Sequence, residues 1–170
     1  MDLLHVHLLL NHFPVIGTII GIALLLFGFV SKSDSLKRAS LAVFFVLALL
    51  TIAVFLTGEP AEERVEKSAG VSKVLMEEHE EAALPALIGM EVTGCIALIG
   101  LFVSFRKSKF ANIGFAAAMV LSIVTFGLMA RTANLGGQIR HAEIRSGTAG
   151  PGNENPAATK SRKDEDDDKD

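Results

Sequence analysis

Residues 39–58 read ASLAVFFVLALLTIAVFLTG, twenty consecutive residues with no ionisable side chain. An α-helix needs about 20 mostly apolar residues to cross about 30 Å of hydrocarbon, so this stretch alone predicts a membrane-spanning helix. Working outward, residues 16–30 and 111–130 also lack ionisable groups, and 82–105 contains only Glu91. The first of these reaches spanning length when its flank is followed back to Asn11. The reading is therefore all-α: an integral membrane four-helix bundle over residues 1–145, with helices at about 12–30, 39–58, 82–105 and 110–131. From Ser146 the composition turns to Gly, Pro, Asn, Ala and Ser and ends in KDEDDDKD. It offers too little apolar surface to order itself, so 146–170 is expected to be a disordered acidic tail.

The charged residues are sorted into blocks that suggest an orientation. Lys32, Lys37 and Arg38 join the first two helices, and Arg106, Lys107 and Lys109 join the last two. Basic loops are retained on the cytoplasmic side. Both termini and the 59–81 connection are then expected on the outside of a bacterial inner membrane (N-out, C-out, with periplasmic or extracellular termini). That connection holds three basic residues against eight glutamates. Pro60 suits the first turn of a short helix through AEERVEK. VSKVLMEEHEEA places Val71, Val74, Leu75, His79 and Ala82 on one stripe, so the outer connection is expected to be helical. The Lys160, Arg162 and Lys163 of the tail lie too far from the bilayer to carry the same weight.

Composition also narrows the partners. Trp and Tyr are absent, and no basic patch with interleaved aromatics exists, so nucleic acid is not an expected partner. The lipid bilayer is. Cys95 is the only cysteine, which excludes an intramolecular disulfide and covalent haem attachment through C-x-x-C-H. The opening MDLLHVHLLLNHFPVIG has no basic n-region or small-residue cleavage site, and is expected to be a retained first helix.

Five histidines stand out: His5, His7, His12, His79 and His141. Alternation of helix direction brings all five to the outer end, where imidazole lone pairs can bind haem iron or another transition metal. Glu59, Glu62, Glu63, Glu80 and Glu143 fall on the same side and can orient imidazoles or ligate a non-haem metal such as Zn, Cu or Fe. No ligand spacing is diagnostic: HVH is too short, and EEHEE is not a zincin helix. Each histidine also has a plainer role open to it, as an interfacial or loop residue. Asn11 is expected to cap the first helix, with Pro14 in its first turn. Glu91 lies about 13 Å into the third helix, taking about 1.5 Å per residue. It reads as a proton relay, a quinol-site acid or a haem-propionate partner, or as a protonated acid bonded to Thr93 or a neighbouring helix. Gly17 and Gly21 form a G-x-x-x-G pair continued by Gly28, which suits close helix packing.

Four blocks resemble a bacterial family of four-helix membrane domains catalogued mainly as a domain of unknown function, whose hallmark is HP-x-x-VHFP. Here HLLLNHFPVIG matches its two histidines with His7 and His12, with Leu8 in place of proline and Asn11 in place of an apolar residue. FLTGEPAEE resembles the family's TG, with Thr57 and Gly58. EEHEEAALPAL supplies His79, and ANLGGQIRHAE resembles its GG…H with Gly136, Gly137 and His141. The resemblance spans about residues 7–143, and His5 has no counterpart in it. Members are joined to Rieske-type or cytochrome-like domains. The resemblance therefore implies membrane electron transfer, haem b bound by His7, His12, His79 and His141, and partners such as respiratory or redox complex subunits, quinol or a periplasmic cytochrome. Four matched histidines suffice for two bis-histidine haems, or for one haem with two supporting residues. On a continuous helix at about 3.6 residues per turn His7 and His12 lie about 140° apart and are not expected to share one iron; within the resemblance His12 is paired with His79, which leaves His7 and His141 for a second or supporting role. Two other functions stay open: a non-haem metal-binding sensor or transport accessory using His5 and the glutamates as well, and a structural subunit of a larger membrane complex. An electron carrier or complex subunit is expected ahead of a stand-alone enzyme, and a membrane-embedded hydrolase comes last, since no nucleophile–base pair is visible.

Overall fold

In the computed structural model the described residues are 3–66, 71–106 and 108–141. They form α1 (Leu3–Leu10), α2 (His12–Val30), α3 (Asp34–Glu66), α4 (Lys73–Phe105) and α5 (Ala111–Arg140), with no strand among the described residues. Asn11 between α1 and α2 keeps right-handed helical angles, and its N–H bonds the His7 carbonyl at 2.9 Å. The two segments act as one spanning element, Leu4–Val30, and four helices are long and apolar enough to cross a membrane. In the helical unit α2, α3, α4 and α5 form a ring in which each packs on the next and α5 returns to α2, while α1 lies on α3.

The helices run further than the apolar stretches. α3 and α4 are 33 residues each, or about 50 Å at about 1.5 Å per residue, so they project beyond a hydrocarbon layer of about 30 Å. Three expected boundaries are therefore corrected. The connection helices expected beside Pro60 and His79 are instead continuous with α3 and α4, and α5 continues to Arg140 rather than ending near 131. Pro60 and Pro85 lie inside their helices. Ala61 is buried directly after Pro60, and Ala82 and Ala86 are buried on either side of Pro85. Packing on neighbouring helices thus carries the chain past the missing N–H groups. On the expected 71–82 stripe His79 is half-buried and Ala82 buried, but Val74 is exposed and Met76 is buried instead.

The bundle is apolar outside and partly polar inside. Leu26, Phe27, Val30, Leu56, Phe102 and Ile113 are each more than half exposed, while Thr18, Ser40, Thr93, Ser122 and Thr125 are almost fully buried. In water such an apolar exterior would drive aggregation; in lipid it costs nothing, and assembly comes from close packing and hydrogen bonds. Gly17 receives Leu47, Gly21 receives Phe44 and Gly28 receives Lys37, so the G-x-x-x-G face seats α3. Gly94 lies directly against Ala48, and Gly100 faces Gly114. Ser40 donates to the Gly21 carbonyl at 2.8 Å, and the Thr93 and Thr125 hydroxyls pair at 3.0 Å.

The α2–α3 turn shows why one residue takes an unusual conformation. Lys32 has φ 54°. Its N–H bonds the Phe29 carbonyl and that of Ser33 bonds Gly28, the paired bonds of a Schellman stop. Past the turn, Lys37 pairs with Asp34 at 2.7 Å and sits over the rings of Phe29 and Phe115.

Candidate functional site

The site begins at the end of the bundle opposite the basic turns. Twenty residues after the start of its apolar stretch, α3 reaches Thr57 and Gly58, a rise of about 30 Å, the thickness of the hydrocarbon. His7 on α1 meets α3 at this level. Its Nδ1 lies 3.1 Å from the Val54 carbonyl and 3.3 Å from Thr57 Oγ1. A carbonyl only accepts, so Nδ1 carries the proton and Nε2 keeps its lone pair. Gly58 lies beside the ring, and a Cβ there would come within 3.6 Å of His7 Cε1.

His79 repeats the arrangement between α4 and α5. Carried by α4, its Nδ1 donates to the Thr132 carbonyl of α5 at 2.9 Å. Thr132 Oγ1 donates in turn to Ala82 on α4 at 2.9 Å, so two bonds cross this helix pair within one turn. Gly136, one turn beyond Thr132, faces the imidazole. A Cβ at Gly136 would fall 3.0 Å from His79 Cε1 and 3.2 Å from Nδ1. A methyl at Gly136 would therefore crowd the ring.

The two half-buried histidines thus share one construction: a ring anchored at Nδ1 by the carbonyl of a neighbouring helix, beside a glycine, with Nε2 as the remaining base. Such an anchor fixes tautomer and ring direction for a ligand histidine. It is equally a clip between helices.

The other expected site residues are distributed differently. His5 on α1 and His12 at the start of α2 are exposed. His12, expected to pair with His79, faces away from the bundle interior, as the helical phase between it and His7 requires. His141 is exposed and belongs to a separate unit, His141–Asp170, rather than to the helical unit. Glu143, and the tail expected over 146–170, lie outside the described residues. Glu59 and Glu80 are exposed, and Gly137 is half-buried on α5. Among the described residues no group of three or more His, Cys, Asp or Glu side chains is placed to hold a metal ion.

Two buried polar atoms stand apart. Asn11 makes no side-chain cap, and its Oδ1 is buried without a hydrogen-bond partner among the described residues. The expected cap fails because Asn11 adopts helical rather than extended angles, which continues α1 into α2. Glu91 Oε1 is likewise buried and unpartnered. Thr93, one expected partner, donates to the Gly89 carbonyl and pairs with Thr125 instead.

Thr132 was not singled out by the sequence reading. Its signal is its position, four residues before Gly136 and so on the same face of α5. Comparison with protein-family models, with curated proteins and with solved structures finds no match to this chain.

Proposed function

We propose that this chain is a b-type-cytochrome-like membrane electron-transfer protein, in which His7 and His79 offer Nε2 to haem iron near one edge of the bilayer. The observation that carries the reading is the shared construction of the two sites: Nδ1 held by Val54 O or Thr132 O, a glycine beside the ring, and Nε2 left as donor. Imidazoles held this way suit axial ligation. Haem b, when bound, would supply a one-electron couple. The chain's share is to hold two imidazoles in one tautomer and to keep the surroundings apolar. In this proposal His12, His141 and His5 are supporting residues or surface residues, and Glu91 handles a proton for a quinol or the cofactor.

Orientation and location belong to the same proposal. The basic turns around Lys32 to Arg38 and Arg106 to Lys109 support a cytoplasmic position for that end. The histidine end and both termini would then lie on the periplasmic side of a bacterial inner membrane, available to a redox complex or a periplasmic cytochrome.

The test is a dithionite-reduced minus oxidised visible spectrum of the full chain, expressed with ample haem and purified in mild detergent, with a pyridine haemochrome assay. Sharp α and Soret bands are expected, lost in His7→Ala or His79→Ala and kept in His5→Ala. A flat spectrum overturns the cytochrome reading. The bonds from His7 and His79 to carbonyls of neighbouring helices would then favour a second reading, a structural subunit whose histidines clip the bundle. Stoichiometric zinc, copper or iron without haem, by elemental analysis, would instead favour a non-haem metal protein.

A further inference from the structure

The basic end of the bundle has a cavity that the histidine chemistry does not use. It measures about 350 Å³ and lies where α3 begins, α4 ends and α5 begins; its polar lining is Asp34, Arg38, Ser104, Ser108, Lys109 and Asn112. Arg38 is held rather than loose. Its Nε donates to Ser104 Oγ at 2.7 Å and one terminal nitrogen to the Ser104 carbonyl at 3.4 Å, while the guanidinium stacks at 5.1 Å over Phe105. A guanidinium has five N–H donors, so this anchoring leaves the rest of the fork for a ligand. Lys109 brings a second cation, 5.3 Å over Phe110. The acidic residue in the lining, Asp34, is neutralised by Lys37 at 2.7 Å. The first turn of the 30-residue helix α5 opens onto the same space, so its backbone dipole adds positive potential.

The surroundings identify the source of an anion. Phe102, Phe105, Phe110 and Ile113, on the same helix ends, are between 57% and 65% exposed. A cationic pocket bordered by outward-facing rings matches a molecule with an anionic head and apolar tails. We propose that this cavity binds the phosphodiester headgroup of an anionic phospholipid, with Arg38 as the oriented fork, Lys109 as the mobile counter-charge, and acyl chains along the exposed Phe faces of α4 and α5. The site requires that the helices lie in a bilayer, but it is independent of the histidine reading and of haem.

The test uses the full chain in mild detergent. It is titrated with phosphatidylglycerol, with phosphatidylcholine of the same acyl chains, and in a third arm with inorganic phosphate; bound lipid is read by native mass spectrometry. Phosphatidylglycerol is expected to bind about tenfold more tightly than phosphatidylcholine, as two basic residues near the headgroup suffice to give. Lys109→Gln is expected to weaken phosphatidylglycerol about fivefold and leave phosphatidylcholine unchanged, with Arg38→Gln weakening it more. Because Arg38 also ties α3 to α4, Lys109→Gln decides if the Arg38 variant fails to fold. Equal affinity for the two lipids, or undiminished phosphatidylglycerol binding in Lys109→Gln, overturns the proposal. Saturation by inorganic phosphate with no preference between the lipids overturns the lipid assignment and indicates a soluble phosphate ligand.

Discussion

Gly136 and Gly58 stand beside His79 and His7 respectively, yet the same substitution should affect them differently. In Gly136→Ala the new methyl would sit 3.0 Å from Cε1 and 3.2 Å from Nδ1 of His79. These contacts are tight, so the ring must give by a few tenths of an ångström, and its 2.9 Å bond to Thr132 O resists that movement and is weakened by it. Overpacking of this kind costs about 1–3 kcal/mol, and a lost hydrogen bond about 0.5–1.5 kcal/mol. Against this, alanine is favoured over glycine inside a helix by about 1 kcal/mol. The net expectation is a loss of about 1–3 kcal/mol. In Gly58→Ala the methyl meets His7 Cε1 at 3.6 Å, an ordinary contact, so only the helix preference acts and the variant should match or exceed the parent in stability. Equilibrium unfolding of both variants in a detergent–SDS series measures the difference directly. If haem is bound, the Gly136 variant should also broaden or lose its α band while the Gly58 variant keeps it. Equal stability of the two variants would refute the argument that a methyl at Gly136 crowds His79.

Other expectations follow from the packing. Gly94→Leu should prevent α3 and α4 from closing at Ala48 and abolish the folded state, seen as loss of the monodisperse peak in size-exclusion chromatography. Thr125→Val removes the 3.0 Å bond to Thr93, but Thr93 keeps the Gly89 carbonyl. Its cost should stay near the 0.6 kcal/mol average for interhelical bonds in membranes, roughly, in the same unfolding series. Lys32→Gly relieves a left-handed conformation at φ 54° and should stabilise by about 1 kcal/mol, raising the unfolding midpoint. Cys95 is exposed within α4, so in intact membranes it should react with a lipid-soluble maleimide and resist a charged one. Rapid labelling by the charged reagent would contradict burial of that face in lipid.

What could be read from the chain follows from what decides each feature. Four helices of membrane-spanning length are legible because apolar length alone decides them, and residues 39–58 satisfy it without help from any neighbour. Helix ends were not visible. Gly58, Glu59 and Pro60 look like a stop, but α3 continues to Glu66 with Ala61 buried, and burial set by the fold has no local signature. The phase between His7 and His12 was legible as a separation of faces. Which of the two turns inward was not, because it depends on α1 docking along α3 and on acceptors 47 and 50 residues away at Val54 and Thr57. Likewise Gly136 could be named from its block, but its partner depends on the register between α4 and α5, fixed in part by the bond from Thr132 to Ala82. Asn11 looked like a cap by residue type; the continuing helix overrode that preference.

The buried hydroxyls have a further consequence, for how such a bundle is made. Thr18 donates to Pro14 O, Thr51 to Leu47 O, Thr93 to Gly89 O and Thr132 to Leu128 O, each to a carbonyl four residues back on its own helix. A hydroxyl satisfied this way needs nothing from a neighbour, although Thr132 also reaches the Ala82 carbonyl and Thr93 also meets Thr125 once the helices pack. In lipid these hydroxyls would leave little polar demand exposed, whereas Ser40 of α3 reaches across to the Gly21 carbonyl of α2 and Glu91 Oε1 of α4 has no partner among the described residues. Selection among partners falls to shape, above all where Gly94 meets Ala48 and Gly100 meets Gly114. The order in which the four spans emerge from the ribosome should then matter less than whether those small-residue contacts can close.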